Sequence, residues 1–96
     1  MFLINSSYIT ELSQVEPHRK AHGEWVAKYI EEGTFLFAGP KRSKQGGIIV
    51  AKRIEKARLL QILSEDSYVS ADVVENQIVD FDAVFTRPEL VLLASL

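Results

Sequence analysis

The apolar positions of this chain fall into short runs whose period changes along its length. Residues 2–8 open with Phe2, Leu3 and Ile4 and pass into Asn5, Ser6 and Ser7, which reads as a first strand. A polar stretch through Ser13 and Gln14 leads to Pro17, whose fixed φ suits a first helical turn, so a helix is expected to start near it. At about 100° per residue, Ala21, Trp25, Val26, Tyr29 and Ile30 gather into one stripe, and Lys20, Glu24, Lys28, Glu31 and Glu32 mostly fall outside it. Gly33 then offers the left-handed residue that closes many helices.

Thr34 to Ala38 is β-prone and is expected to be cut off by Gly39-Pro40. Lys41 to Gly47 reads as a polar loop, and Ile48 to Ala51 as a β-branched strand that completes a hairpin. Ile54, Ala57, Leu59, Leu60, Ile62 and Leu63 lie in a run free of glycine and proline, which predicts a second helix from about Glu55 to Ser64. From Asn76 to Phe85 the chain alternates, with Val79, Phe81, Ala83 and Phe85 on one side and Ile78, Asp80, Asp82 and Val84 on the other. That pattern predicts a fourth, half-buried strand.

The order β-α-β-β-α-β is that of a ferredoxin-like α+β fold, in which two helices cover one face of a four-stranded antiparallel sheet. The other face would present Phe and Val to water, and packing it against a second copy removes that exposure, so a homodimer is expected. The tail after Arg87-Pro88 is too apolar to be left in water. It is expected to add a strand or to reach across the dimer.

Ninety-six residues with 47% hydrophobic content fit a single domain, residues 1–96. The absence of cysteine excludes a disulfide framework and a thiol nucleophile, and it fits a reducing compartment, so a cytoplasmic location is expected. The apolar start runs straight into Asn5 to Ser7 without the features of a leader, and Leu90 to Leu96 is far short of the roughly 20 residues a membrane span needs. Eleven basic and 13 acidic residues are interspersed and leave a net charge of -2, which argues against nucleic acid as a partner.

His18 and His22 stand one turn apart, and His22 falls near the middle of the helical stripe, so it should point inward. An inward histidine is commonly a hydrogen-bonded core side chain. Beside a carboxylate it can also serve as general base or acid, because its ordinary pKa of about 6.5 lies near working pH. Histidines at this spacing can share a metal ion, but two cations stand between them and no third ligand is nearby, so neither a metal nor any other cofactor is expected. Lys41, Arg42 and Lys44 could receive an anion between Gly39 and Gly47. Asp66 reads on its own as a cap for a following turn, and Asp80 and Asp82 as an exposed pair.

Taken together, Arg19-x-x-His22, the helix closed by Gly33, the Ala38-Gly39-Pro40 strand end, Ile48-Ile49-Val50 and Asp66-Ser67-Tyr68-Val69 resemble the YCII-like family in order and spacing. The resemblance spans nearly the whole chain. It implies a dimeric α+β barrel with a cleft holding a histidine and an aspartate, here His22 and Asp66, with Arg19 matching the arginine three residues before that histidine. Serine follows Asp66 where the family usually has proline, the loop from Lys41 to Gly47 is short, and the tail past Arg87 is a further difference. The family is similar to small enzymes, with a dehydrochlorinase of hydroxylated aromatic rings among its relatives.

The expectation is therefore an enzyme in which Asp66 orients His22 for proton transfer, in an elimination or a hydrolysis. Its small anionic substrate would be held by Arg19, Lys41, Arg42 and Tyr68. Two alternatives stand beside it: a non-catalytic dimer that binds a metabolite or a partner in the same cleft, and a purely structural dimer.

Overall fold

The computed structural model describes residues 1–96. Its elements are β1 (Phe2–Tyr8), α1 (Leu12–Val15), a three-ten turn (Glu16–His18), α2 (Arg19–Glu32), β2 (Phe35–Pro40), β3 (Gly46–Ala51), α3 (Lys56–Ser64), α4 (Ser67–Ser70), β4 (Val74–Asp80) and a three-ten segment (Pro88–Ser95). The strands are ordered β2-β3-β1-β4, and every neighbouring pair is antiparallel, giving the ferredoxin-like α+β sheet.

Alternation along the strands sends successive side chains to opposite faces. On one face Phe2 and Ile4 stand opposite Ala51 and Ile49, and all four are buried beneath Trp25 and Tyr29 of α2 and Leu59, Ile62 and Leu63 of α3. Trp25 Nε1 donates to the carbonyl of Ile62 at 3.0 Å, which ties the two helices together. The apolar stripe of α2 is narrower than the sequence suggests. Trp25 and Tyr29 are buried and His22 and Val26 half-buried, while Ala21 and Ile30 face water, because a helix laid on one sheet face covers about one residue per turn.

The bare face carries one apolar row across the whole sheet. Val79 stands opposite Leu3, Leu3 opposite Val50, and Val50 opposite Phe37. The two ends of this row, Val79 and Phe37, are each about half exposed, while Leu3 is half-buried and Val50 is buried within the subunit.

Several boundaries differ from the periodic reading. Helical structure begins at Leu12, upstream of Pro17, because Val15 is fully buried in a second small cluster with Tyr68, Val73 and Val74. Strand β2 runs on through Gly39 and Pro40, which pair with Ile48 and Gly47; β2 is an edge strand, so proline's missing donor costs no ladder bond on its outer side. Strand β3 accordingly starts at Gly46. Strand β4 ends at Asp80, well before Phe85, because β1 supplies partners only up to there: Phe2 faces Asp80 and Met1 exchanges backbone bonds with Phe81. Val74 and Ile78 therefore pack inward, while Asp82 leaves the sheet to pair with Arg53 and Phe85 is 97% exposed.

The tail adds no strand. Arg87 is extended, Pro88 opens a three-ten segment, and the Leu- and Ala-rich run that follows lacks the alternation a strand would need. Its end is held by the Arg53 N–H, which donates to the Leu96 carbonyl at 2.6 Å. Gly33 closes α2 with φ of 90°, as its position predicts. No helix is long and apolar enough to cross a membrane.

Candidate functional site

A cleft of about 330 Å³ opens between α2, α4 and the end of the sheet where β1 finishes and β3 begins. Its walls are Tyr8, Val26 and Ile49, with His22 and Tyr68 side by side, and its floor includes backbone of Gly39, Gly46 and Gly47.

His22 reaches this cleft from the buried side of α2, in register with Trp25 and Val26. Its Nδ1 lies 2.7 Å from Oδ1 of Asp66, and the two side chains are 25% and 3% exposed. Asp66 caps α4, and the same Oδ1 accepts the Tyr68 backbone N–H at 3.0 Å. The cap reading and the pairing reading of Asp66 thus hold together. With the carboxylate as acceptor, Nδ1 carries a proton, and Nε2 is left with no protein partner. The ring is further fixed by Tyr68, stacked on it at 3.9 Å between centroids and 8° between planes. Trp25 lies 5.7 Å away on a tilted plane.

Burial, the neighbouring Tyr8 hydroxyl and the Asp66 charge push the Tyr68 phenol up to about 12, against an opposing pull from Arg19. Tyr68 is therefore a neutral hydrogen-bond donor throughout the physiological range. Its folded value lies above the ordinary value of about 10, so its contribution to stability is whole below pH 10 and is lost as pH rises towards 12. The urea midpoint of the protein is expected to fall across that window, and to fall less in Tyr68→Phe. Equal declines in the two proteins would assign the loss to another group.

Arg19 stands at the rim of the cleft, but its guanidinium is engaged by Glu16 through Nη2 at 2.7 Å and Nε at 3.2 Å. Lys41 and Arg42 do not line the cleft. Lys41 donates from Nζ to Ser7 Oγ at 2.9 Å, and Arg42 is exposed; in the chain they follow Pro40, which does line the cleft. His18 lies in the three-ten turn, where its carbonyl accepts from Ser67 Oγ at 3.0 Å, and it joins no cluster of metal-ligating side chains with His22. Asp80 and Asp82 line the opposite end of the sheet, beside Phe2 and Arg53.

Sequence reasoning passed over Tyr8, which meets Tyr68 edge-on at 5.8 Å and forms a wall of the cleft. The signal was present: Tyr8 is in phase with Phe2 and Ile4 on β1, so period two places it on the helix-covered face. Gly23 was also passed over. It lies mid-helix on the rim, and a Cβ there would meet nothing within 4 Å. Gly23→Ala is expected to stabilise the protein by about 0.5–1 kcal/mol, because a helix-interior glycine gives up backbone entropy without a packing reason. Thermal denaturation should show a rise of roughly 2–8 °C for a domain of this size. A fall would mean that the glycine has a backbone duty.

Residues 1–82 match the family model of the YCII-related domain. No curated protein matches the chain.

Proposed function

We propose, since the chain belongs to the YCII-related domain family and pairs a histidine with a buried carboxylate in an open cleft, that it is a small enzyme using His22 and Asp66 for proton transfer. The observation that carries this reading is the 2.7 Å contact between Nδ1 of His22 and Oδ1 of Asp66, which leaves Nε2 of a rigidly stacked ring without a protein partner. Such a nitrogen can take a proton from a substrate carbon or water, and the carboxylate behind it stabilises the imidazolium that forms. Returning that proton to a leaving group completes an elimination or a hydrolysis. Tyr68 donates a neutral hydrogen bond to the substrate, Arg19 at the rim exchanges its exposed pairing with Glu16 for an anionic substrate group, and Lys41 and Arg42, which follow the cleft-lining Pro40 in the chain, add positive charge.

The active form in this reading is a homodimer joined through the bare sheet face. The apolar row Val79–Leu3–Val50–Phe37, exposed at both its ends, supports it.

The test uses a panel of small carboxylates bearing an acidic C–H next to a carbonyl, incubated in D2O and followed by proton NMR. Deuterium incorporation by the wild type should fall about 10²–10⁴-fold in His22→Ala and His22→Asn, with circular dichroism and dimer mass unchanged. Exchange retained in either variant would remove the catalytic reading. A second reading, a metabolite-binding module, is favoured by one observation: Arg19 is already neutralised by Glu16, so the cleft presents mainly apolar and aromatic walls. It predicts chemical-shift changes with the same panel but no exchange.

A further inference from the structure

We propose that residues 84–96 form an intersubunit arm that lies on a second copy of this chain, an inference that rests on the sheet-to-sheet dimer above and extends it. The four most exposed large apolar side chains of the protein all belong to this segment: Phe85 at 97%, Val84 at 73%, Val91 at 64% and Leu92 at 60%. Nothing within one subunit covers them, although the segment is held in place at its end by the backbone bond between Arg53 and Leu96.

Three observations make a second copy the occupant. The first is area. Four strands about 4.8 Å apart and about 20 Å long span a footprint of roughly 400 Å² in projection, and within it Val50 is already buried and Leu3 half-buried, so exposed apolar surface on this row is confined to its two ends, Val79 and Phe37. The bare sheet needs an addition, and the arm is the largest uncovered apolar surface available to supply it.

The second is continuity. The apolar row across the bare face lies at the end of the sheet where β4 stops, since Leu3 pairs with Val79 and Phe2 with Asp80. The arm departs from that same end, only a few residues after Val79. The other end of the face is polar, carrying Glu75 and Ser7 opposite one another. A partner sheet seated on the apolar row therefore meets the arm and not the polar end.

The third is charge. The only ionised side chains in residues 84–96, Arg87 and Glu89, satisfy each other at 2.7 Å, so the arm docks without leaving an unpaired charge. In an isologous pair each arm would lie on the other subunit, and every contact would count twice. The arm falls outside the residues 1–82 that match the family model.

The experiment is a dilution series by analytical ultracentrifugation on three full-length proteins: wild type, Phe85→Glu/Val91→Glu in the arm, and Val79→Glu on the sheet. The arm variant should raise the dimer dissociation constant at least about 100-fold while leaving circular dichroism unchanged, because none of its altered positions is buried within a subunit. If Val79→Glu dissociates the dimer while the arm variant keeps the wild-type constant, the arm proposal falls and the sheet-to-sheet dimer stands. If the wild type is a monomer at every concentration, both fall. A monomeric wild type that co-sediments with phosphatidylcholine vesicles would assign the arm to lipid instead and equally overturn the proposal.

Discussion

Asp66→Ala is expected to lower the melting temperature by more than 10 °C and to remove any activity of the cleft. Asp66 is 2% exposed, and one oxygen serves two donors, the backbone N–H of Tyr68 and Nδ1 of His22. Deleting it removes the cap of α4, worth about 1–2 kcal/mol. It also strands buried donors at about 1–3 kcal/mol each, so a total near 3 kcal/mol is reasonable after allowing for overlap. For a domain near 100 residues each kcal/mol moves the midpoint by roughly 4–8 °C.

Asp66→Asn separates the two contributions. Both donors use Oδ1, so an amide oxygen placed there can keep both bonds, the cap and the histidine tautomer while losing the charge. Its stability should stay within about 1 kcal/mol of wild type, because only the charge assistance of the two hydrogen bonds is lost. Deuterium exchange should nevertheless drop about 10²–10⁴-fold, since the imidazolium formed at His22 loses its counter-charge. Wild-type exchange in a well-folded Asp66→Asn protein would show that the carboxylate does no more than build the turn.

The second large effect is expected at Gly46. This residue has φ of 147°, and a Cβ built on it would lie 1.9 Å from the carbonyl oxygen of Ser6 and 2.8 Å from its carbon. The obstacle is backbone, in the central β1–β3 pair, where Ser7 and Gly46 face each other. Relief requires the two central strands to separate, which would also disturb the backbone bonds from Tyr8 to Gln45 and from Lys41 to Gly46. Gly46→Ala should therefore cost about 3–5 kcal/mol, a large share of the roughly 5–15 kcal/mol that holds such a domain together. Urea denaturation would measure it, and a midpoint equal to the wild type would mean that the strands yield freely at this point. The contrast with Gly23→Ala, expected to stabilise, makes the pair a direct check on what each glycine is for.

Much of this was readable from the chain. The strand character of residues 2–8, the inward position of His22 and the closure of α2 at Gly33 follow from spacing and from single-residue preferences, which act over a few bonds. The resemblance carried by Arg19-x-x-His22, Ala38-Gly39-Pro40 and Asp66-Ser67-Tyr68 likewise led to the family, and it singled out the aspartate that meets His22 from 44 positions away. The partnership of Arg19 with Glu16 was not foreseen, because several charged residues stand within reach of one another along that stretch and only the turn at Glu16–His18 selects a pair.

Periodicity, turn residues and apolar content by themselves determined the four strands, the two main helices and their order along the chain. Those properties belong to each segment separately. Only the tertiary structure decided where β4 ends, that Pro40 sits in an edge strand, that Tyr8 and Tyr68 enclose His22, and that Lys41 turns to Ser7 instead of the cleft. Each of these depends on what a distant part of the chain brings alongside. A strand continues only while a neighbour offers backbone to pair with, and a charged side chain settles on whichever partner the fold has placed within reach.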